Sequence, residues 1–387
     1  MLTQLLANTI MRSIAIVSTG VEKQIKSAGG TVWDIIINNQ ICKIAYIETE
    51  KPLFDPDADN FSDLIFIRKI AFSLNFRDRG IISQKQEMFN KHPAAINYSP
   101  IGSDFVAEVV MVGYNVRHLQ IGDRVIPNCS YPNENTDAPD GIPTNEASKE
   151  FQVLHHASVL KISDNLPNDI AAGFSVSAQT SYSILRRLQL KGNERILITS
   201  GSSNTSLSVL KALVSARGHQ NVTVMTSRKT EVQQFQRMGL QNIILIEDRN
   251  NFNLDHAFST NVKQFGFFDI VIDPFADMHL LKLVNYMSFN GRYVTCGFYH
   301  QSKREIPEQG VNGENLTYLL TSMISRNIQL IGNCLGSSED LEHALSDYKN
   351  GIFSIYTDQV YRDGDVEGFV KSSFSDTQKF GKIVYMF

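Results

Sequence analysis

Hydrophobic and polar residues follow two different rhythms along this chain. Between about residues 31 and 125, short apolar runs alternate with turn residues, and the main runs are VWDIIIN, CKIAYIE, DLIFIRKIAFSLN, DFVAEVVMVG and DRVIPN. Runs of this length, bounded by turn residues, are typical of β-strands. The pattern predicts a strand-rich, barrel-like first region.

From about residue 167 the rhythm changes to alternating helices and strands. The predicted strands are RILITS, NVTVMTS, IILIED, FDIVIDP, RYVTCG and NIQLIGN, with helical segments between them. Strands that alternate with helices of this length form a parallel, doubly wound sheet. After about Cys334 the pattern of the first region returns, with a short helix and the terminal strand GKIVYMF. The pattern therefore predicts an α/β protein of two domains.

Length and charge limit the classes of function. With 387 residues the chain exceeds the usual size of one hydrophobic core, which also favours two domains. The formal charge of −4 is close to neutral and no run of Lys or Arg forms a stripe, so neither a nucleic acid nor an anionic membrane is an expected partner. We find no signal peptide and no apolar run near the roughly 20 residues of a membrane span.

The spacing of the cysteines bears on the cellular location, and one long loop is a candidate part of a binding site. The four cysteines lie far apart without a CxxC pair, which argues against a disulfide framework and against a cysteine-rich zinc site. We therefore expect a reducing, cytoplasmic location. The polar segment from Asn128 to Ala147 is longer than most loops, and loops of this length are often functional. It is a candidate cover for a binding site.

The segment from Ile196 to Arg228 has the order of a dinucleotide-binding unit: a strand, a tight loop, a helix and a second strand. Such a loop lets backbone N–H groups and a helix N-terminus approach a pyrophosphate. The loop residues that we assign to this role are Gly201, Ser202, Ser203, Asn204 and Thr205. The loop is poor in glycine, although small Ser and Asn side chains remain workable. Taken alone, it is better interpreted as a plain turn that binds nothing.

The residues at the end of the second strand favour a nucleotide-binding site over a plain turn. NAD sites place an acidic residue there for the ribose hydroxyls, whereas a 2′-phosphate requires cations. This sequence has Ser227, Arg228 and Lys229, and the two cations suit a phosphate. The alternative is an exposed helix start that happens to carry two cations. Together with the loop before it, the segment predicts NADPH as the cofactor.

Several segments resemble the medium-chain dehydrogenase/reductase superfamily, and most closely its zinc-free quinone-reductase and enoyl-reductase branches. They are LNFRDRG, IGSDFVAEVVMVGYNVRHLQIGDRV, AAGFSVSAQTSY, FDIVIDP, FNGRYVTCG and KFGKIV, and they follow the family order over about residues 63–384. The resemblance implies a GroES-like β-barrel catalytic domain and a Rossmann domain. We predict the first part of the catalytic domain over residues 1–165, the Rossmann NADPH-binding domain over residues 166–332, and a return to the catalytic domain over residues 333–387.

The resemblance also provides a test for zinc. In the zinc alcohol dehydrogenases of this superfamily, a cysteine, the histidine of a GHE motif and a further cysteine or aspartate hold the catalytic metal. The matching positions here are Asn75, Ser103 and, less surely, Val176. None of these residues supplies a thiolate or an imidazole, so a tetrahedral site of nitrogen and sulfur ligands cannot form there. We therefore predict no metal.

Without a Lewis acid, we expect reduction of an alkene conjugated to a carbonyl rather than oxidation of a plain alcohol. The candidate catalytic residues are Asn75, Asp78, Asp104 and Tyr131. Two alternatives stay open: Asn75 can be a plain turn amide, and Asp104 can be a buried carboxylate paired with Arg77 or Arg124. Phe76 stands near the position where many enoyl reductases of the family have a tyrosine, so the proton donor is not assigned.

Further cofactor residues follow from the resemblance. Thr180 resembles the family threonine close to the nicotinamide, although packing within a helix is the alternative. Cys296 and Gly297 are expected to line the nicotinamide pocket, and we also assign Lys382, in the segment KFGKIV, to the cofactor. The resemblance further implies a homodimer through the Rossmann sheet edge around RYVTCG.

The resulting hypothesis is an NADPH-dependent reductase of an activated C=C bond. The substrate is an enoyl thioester, an enone or quinone, or a dehydroamino acid such as dehydroalanine in a modified peptide. The loop around Gly201 resembles dehydroalanine reductases of lanthipeptide maturation. A catalytically inactive nucleotide-binding or sensing protein is the second hypothesis. An alcohol or aldehyde dehydrogenase is the third, and the missing zinc ligands disfavour it.

Overall fold

The computed structural model describes residues 9–132, 140–249, 251–252, 255–301, 313–362, 364–375 and 379–387. Its contacts divide the chain into two units. We call residues 1–176 and 357–387 the barrel unit, and residues 177–356 the sheet unit. Of the long loop noted in the sequence, residues 133–139 lie outside the described residues.

Two sheets of mostly antiparallel strands form the barrel unit. Its strands are β1 (Ile10–Val17), β2 (Val32–Ile37), β3 (Gln40–Glu50), β4 (Leu64–Ser73), β5 (Tyr98–Pro100), β6 (Asp104–Val112), β7 (Arg124–Pro127), β8 (Phe151–His155), β9 (Val159–Lys161), β16 (Thr357–Tyr361) and β17 (Lys382–Met386). Its helices are α1 (Thr19–Ser27), α2 (Phe76–Lys91), α3 (Asn168–Ala171) and α11 (Val366–Phe374). The strand orders are β2-β3-β1-β5 and β16-β17-β4-β6-β7-β9, and β8 also pairs with β4.

Aromatic side chains explain why the C-terminal segment belongs to this unit. Phe72 on β4, Phe369 on α11 and Tyr385 on β17 are almost inaccessible to solvent. The ring centroid of Phe369 lies 5.1 Å from that of Phe72 and 5.5 Å from that of Tyr385. Buried aromatic rings at such distances contribute both burial and ring–ring attraction. The last strand and helix therefore complete the core that the N-terminal strands begin.

A six-stranded parallel sheet forms the centre of the sheet unit. Its strands are β10 (Ile196–Ile198), β11 (Val222–Thr226), β12 (Asn242–Leu245), β13 (Phe268–Asp273), β14 (Met287–Thr295) and β15 (Gln329–Gly332). Its helices are α5 (Asn204–Lys211), α6 (Val232–Arg237), α7 (His256–Phe265), α8 (Ala276–Leu283), α9 (Gly313–Arg326) and α10 (Ser338–Lys349), and α4 (Phe174–Leu188) begins in the barrel unit. The strand order is β12-β11-β10-β13-β14-β15, and neighbours are parallel. This is the doubly wound order, which confirms the predicted fold class.

The structure also corrects two details of the sequence prediction. The segment RYVTCG begins within β14, which lies between β13 and β15, so β14 is not an edge strand and the edges of the sheet are β12 and β15. The return to the barrel unit begins at residue 357, later than residue 333. The reason is that α10 is tied to α4: Arg186 forms a 2.8 Å ion pair with Asp340, and the Tyr182 hydroxyl donates to Asp347 over 2.7 Å.

Helices and strands without a clean apolar period escaped the sequence analysis. β1 contains Arg12 and a buried Ser13, and α2 carries only scattered apolar residues between charged and polar ones. Both elements form because neighbouring strands and the core support them. Among the helices of the described residues, none combines the length and the apolar character that crossing a membrane requires.

Replacing Phe369 by Ala is expected to destabilise the barrel unit. The side chain is 0% exposed and contacts the rings of Phe72 and Tyr385, so the change removes apolar burial and leaves a cavity. We expect the free energy of unfolding to fall by about 3–5 kcal/mol. Urea denaturation followed by fluorescence measures this effect, because the single tryptophan, Trp33, lies on β2 of the same unit.

The control is Leu53→Ala, because Leu53 is 89% exposed and belongs to the same unit. This variant is expected to change the free energy of unfolding by less than about 0.5 kcal/mol. Equal effects of the two substitutions would contradict the aromatic core as the support of the C-terminal segment.

Candidate functional site

A group of buried polar side chains lies at one end of the barrel unit. We define the polar cluster as Asn75, Asp78, Ser103, Asp104 and Lys382, none of which is more than 8% exposed. β4 lies between β17 and β6 in the sheet, and the last residue of β4 is opposite the first residue of β6. The ends of three neighbouring strands and the start of α2 therefore bring these residues together.

A chain of hydrogen bonds orients the side chain of Asn75, which is the N-cap of α2. The Asn75 amide Nδ2 donates to Ser103 Oγ over 3.1 Å, and that hydroxyl donates to Asp78 Oδ2 over 2.8 Å. The same carboxylate oxygen accepts from the backbone N–H of Asn75 over 2.8 Å. Asn75 therefore lies at the N-cap of the helix and is also hydrogen-bonded within the cluster.

The ammonium group of Lys382 lies inside the polar cluster. Its Nζ donates to Asn75 Oδ1 over 2.5 Å and to Ser73 Oγ over 3.4 Å, and it is 3.7 Å from Asp104 Oδ2. Burial lowers the pKa of Lys382, and the negative charge of Asp104 opposes this effect. The sequence assigned Lys382 to the cofactor, whereas the structure shows its ammonium held by groups of the barrel unit.

Asp104 is the second buried charge of the cluster. Its Oδ2 accepts from the backbone N–H of Val176 over 3.3 Å, while its Oδ1 is buried without a hydrogen-bond partner among the described residues. Burial raises the pKa of Asp104 to about 7, against the attraction of the Lys382 ammonium. A carboxyl group that titrates near neutral pH can both accept and donate a proton.

The pairing of Asp104 with Arg77 or Arg124, which was an alternative from sequence, is wrong. Arg77 Nη1 lies 3.2 Å from Asp78 Oδ1 instead. Arg124 Nη2 donates to the carbonyl oxygen of Leu166 over 2.7 Å. Both guanidinium groups are engaged elsewhere because the strand register directs Lys382, and not an arginine, toward Asp104.

The positions that the resemblance matched to zinc ligands hold an amide in Asn75 and a hydroxyl in Ser103, and both groups are engaged in the bonds described above. Within the part of the chain that the structure describes, no three His, Cys, Asp or Glu side chains are grouped so that they could hold a metal ion. The fourth catalytic candidate, Tyr131, is 46% exposed and does not belong to the buried cluster.

The loop after β10 is a tight turn that leads into α5. Ser200 adopts a positive φ of 47°, and a Cβ on Gly201 would lie 2.4 Å from a methyl carbon of Val224, so only glycine fits at position 201. Ser203 caps α5, since its Oγ accepts from Ser206 N over 3.1 Å. The turn thus presents the N-terminus of α5 at the carboxyl edge of the sheet.

The remaining predicted cofactor residues of the sheet unit lie in α5, after β14 and in α4. The Asn204 Oδ1 atom is buried without a hydrogen-bond partner among the described residues, as a polar group that awaits a ligand would be. Thr205 is hydrogen-bonded to the Cys296 thiol, whose pKa burial raises to about 12, so that this thiol is not a nucleophile. The carbonyl oxygen of Gly297 accepts from Ala276 N over 3.2 Å. Thr180 is buried in α4.

The end of β11 carries a cationic site that sequence identified only in part. The Arg228 guanidinium forms a 2.9 Å ion pair with the buried Glu231, and Lys229 is exposed. Arg249 Nε donates to Ser227 Oγ over 2.7 Å. Arg249 follows β12, whose carboxyl end lies beside that of β11, and this adjacency appears only when the two strands are paired. The only signal for Arg249 in the sequence was its position directly after the predicted strand IILIED.

A match to a family model fits the barrel unit. The alcohol dehydrogenase GroES-like domain matches residues 62–164. NADP-dependent alcohol dehydrogenase C of Mycobacterium tuberculosis is 26% identical over 303 residues, which cover 69% of this chain and 82% of that protein. The chain spans only 58% of the length of the probable mannitol dehydrogenases that it also matches, from Medicago sativa and Fragaria ananassa.

Solved structures show the same fold. A thermostable alcohol dehydrogenase from Pyrobaculum aerophilum superimposes with a TM-score of 0.70 at 18% identity, covering 97% of this chain and 99% of that one. The CurF ER cyclopropanase of curacin A biosynthesis superimposes with a TM-score of 0.66 at 15% identity, covering 97% of this chain and 99% of that one. At these identities the likeness concerns the fold alone.

The carboxyl group of Asp104 is expected to titrate near pH 7 instead of near pH 4, because burial disfavours its anion. In Lys382→Met the pKa of Asp104 is expected to rise further, since the cation that lowers it is removed. Titration of ¹³C-labelled aspartate by NMR measures both values, and Asp104→Asn identifies the signal. An unchanged pKa in Lys382→Met would show that the ammonium does not act on this carboxyl group.

The comparisons and the structure agree on both units. The GroES-like match lies within the barrel unit, and the sheet unit has the doubly wound parallel order. The thermostable alcohol dehydrogenase superimposes on 97% of this chain. The chain therefore carries an alcohol dehydrogenase GroES-like domain at residues 62–164 and has the fold of the alcohol dehydrogenases that it superimposes on.

Proposed function

We propose that this protein is an NADPH-dependent reductase of a C=C bond conjugated to a carbonyl group, and that it works without zinc. The observation that carries the proposal is the polar cluster. Where alcohol dehydrogenases of the superfamily hold a metal with thiolate and imidazole, this chain has Asn75 and Ser103. The Lys382 ammonium is hydrogen-bonded to that same Asn75. The cluster thus offers a cation and neutral donors in place of metal ligands.

The sheet unit contains groups that fit NADPH. The turn at Gly201 and the N-terminus of α5 would hold the pyrophosphate, and Asn204 has a buried oxygen still to be paired. Arg228 and Arg249, from the ends of two neighbouring strands, would hold the 2′-phosphate together with Ser227 and Lys229. NADPH, when bound, supplies the hydride that the reduction requires.

The residues of the polar cluster have a defined part in the proposal. Reducing a conjugated alkene places negative charge on the carbonyl oxygen, and hydrogen-bond donors fixed in a water-poor site stabilise such charge. Lys382 has three N–H donors, and the Asn75 amide has two. Asp104 keeps a compensating charge beside the ammonium, so the cluster can offer its donors without leaving a cation unpaired.

The substrate class is an activated alkene: an enoyl thioester, an enone or quinone, or a dehydroamino acid such as dehydroalanine in a modified peptide. The names of the relatives favour a second candidate, an alcohol dehydrogenase, since one of them is an NADP-dependent alcohol dehydrogenase. The polar cluster disfavours it, because Asn75 and Ser103 are poor zinc ligands. An inactive nucleotide sensor is a third candidate, which binding without turnover would favour.

We also propose that the protein forms a homodimer. Because RYVTCG does not lie at a sheet edge, we place the interface at β15 instead. This strand is an edge of the parallel sheet, and its Leu330 is exposed. Phe289 at 71% exposed on β14 and Ile324 at 76% exposed on α9 add apolar surface in the same unit. An open strand edge with exposed apolar side chains favours pairing with a second copy.

Removing either cation at the strand ends is expected to weaken NADPH binding specifically. We expect Arg228→Ala and Arg249→Ala each to reduce the affinity for NADPH by about 1–3 kcal/mol, the scale of a lost charged hydrogen bond, and to change that for NADH little. Fluorescence titration with both nucleotides measures the difference. Arg237→Ala is the matched control, because Arg237 is an exposed residue of the adjacent helix α6.

Failure of the wild-type protein to bind either nucleotide would refute the cofactor assignment. An equal loss of NADPH and NADH affinity in the two variants would show that the cations do not contact the 2′-phosphate.

Reduction of activated alkenes is expected to survive removal of metal ions. After dialysis against a chelator, we expect NADPH to be oxidised in the presence of butenone or of a dehydroalanine-containing peptide. We expect no NADP⁺ reduction with ethanol or mannitol. Absorbance at the nicotinamide band, with product identified by mass spectrometry, measures both. Loss of activity on dialysis and its recovery with Zn²⁺ would instead support the alcohol dehydrogenase.

A further inference from the structure

A second ionisable pair lies at the carboxyl edge of the parallel sheet. Asp277 is in the first turn of α8, just after β13, and His300 follows β14. Because β13 and β14 are parallel neighbours, the segments that leave them emerge at the same edge. The Ala276 N–H donates to the Gly297 carbonyl oxygen over 3.2 Å and joins the two segments. Residues 23 positions apart thus become a pair.

The Asp277 carboxylate fixes the orientation of the His300 ring. Asp277 Oδ2 lies 2.7 Å from His300 Nδ1 and accepts from the His300 backbone N–H over 3.0 Å. Asp277 Oδ1 accepts from the backbone N–H of Tyr299 over 2.7 Å. With three donors the carboxylate is itself held in place. A carboxylate at Nδ1 requires the proton on that nitrogen, so Nε2 is the atom that exchanges protons.

Aromatic contacts support the same orientation. The rings of Tyr299 and His300 meet edge to face at a centroid distance of 5.3 Å, and Phe275 meets Tyr299 in the same way at 5.5 Å. Side-chain exposure is 26% for His300 and 22% for Asp277. The imidazole is therefore positioned by its neighbours and still reached by solvent, as an acid–base group must be.

A second Asp–His pair among the described residues of this unit has a structural role and serves as a comparison. His279 Nδ1 lies 2.9 Å from Asp273, and both side chains are buried. Asp273 also accepts hydrogen bonds from Thr199 and Tyr293, so this carboxylate ties the sheet together. Asp277 accepts instead from the loop that carries His300. This pair is only partly buried, and in contrast to Asp273 it leaves an imidazole nitrogen, Nε2, for which no partner is needed to hold the sheet together.

We infer that His300, oriented by Asp277, is the general acid that delivers a proton to the substrate α-carbon. The inference rests on the proposed function, for which the sequence analysis assigned no proton donor. Its position supports it, because ligands of doubly wound sheets bind at the carboxyl edge, where the turn at Gly201 also lies.

The step balances in atoms and charge. NADPH, when bound, would supply the hydride for the new C–H bond at the β-carbon, and the π electrons of the alkene would move onto the substrate to give its enolate. The Nε2–H bond of the His300 imidazolium breaks, and its proton forms the C–H bond at the α-carbon. The resulting neutral imidazole retains its proton on Nδ1, where it is hydrogen-bonded to Asp277, and a proton from solvent restores the imidazolium.

Hydrogen exchange at the α-carbon tests the inference without the cofactor. An acid–base group at this place should catalyse exchange of the α-hydrogens of butanone, the saturated product of butenone, in D₂O without nucleotide. We expect ¹H NMR to show exchange by the wild-type protein above the solution background. We expect His300→Ala and His300→Gln to slow it by about 100-fold or more, the usual contribution of a general acid–base group.

Two further variants separate chemistry from structure. Asp277→Asn is expected to slow exchange less than loss of the imidazole, because it disturbs only the orientation of the ring. His343→Ala, at an exposed histidine on α10, is expected to have no effect. Added imidazole should restore exchange in His300→Ala and not in His300→Gln, whose side chain still fills the site. Unchanged NADPH binding and circular dichroism would show that the variants fold.

The outcomes distinguish this inference from the proposed function. No exchange by the wild-type protein, or equal exchange by His300→Ala, would overturn the role of His300 even where NADPH reduces alkenes. Exchange that depends on His300 in a protein that reduces none of the alkenes would support the acid–base site and overturn the reductase. Rescue by imidazole is the result that a purely structural histidine does not give.

Discussion

The pairing of β17 with β4 is the constraint on which the barrel unit depends. Val384 lies opposite Ser73, and this register places Lys382 at Asn75, 307 positions earlier in the chain. The same strand inserts Tyr385 into the aromatic core with Phe369. One strand therefore supplies both the last part of the hydrophobic core and the only lysine of the polar cluster, so that the cluster exists only when this core is complete.

Charge compensation explains the composition of the polar cluster. Removing an ammonium or a carboxylate from water costs several kcal/mol unless a partner and further hydrogen bonds offset the loss. Lys382 has Asp104 and Asn75, and Asp78 has Arg77 and the hydroxyl of Ser103. Yet one oxygen of Asp104 remains buried and unpaired among the described residues. An apolar core of the same volume would be at least as stable, so function is the better reason for these residues.

The sheet unit assembles its polar groups by a different principle. Parallel strands end at one edge, so the residues that follow each strand meet there whatever their distance in sequence. Ser227 and Arg249 come together in this way, as do Asp277 and His300. The turn at Gly201 opens onto the same edge. The proposed nucleotide site and the proposed proton donor thus both follow from strand order.

Short-range signals in the sequence were sufficient for the class of fold and for the strand, turn and helix around Gly201. Alternating apolar runs and helices predicted the parallel sheet, and the residues Ser227 and Arg228 predicted the cationic strand end, because each of these signals lies within one local segment. The sequence could not place β1 or α2, whose apolar patterns are irregular and which neighbouring strands support. Nor did it show that β15, and not β14, is a sheet edge.

The sequence by itself determined which chemical groups are available: an arginine and a lysine after a strand, an amide and a hydroxyl where zinc ligands stand in related enzymes, and a glycine in a tight turn. Only the tertiary structure decided which of them meet. Lys382 with Asn75, Arg249 with Ser227 and Asp277 with His300 are pairs that no local pattern encodes. The physical reason is that strand register and strand order set these distances, and both depend on packing over the whole unit.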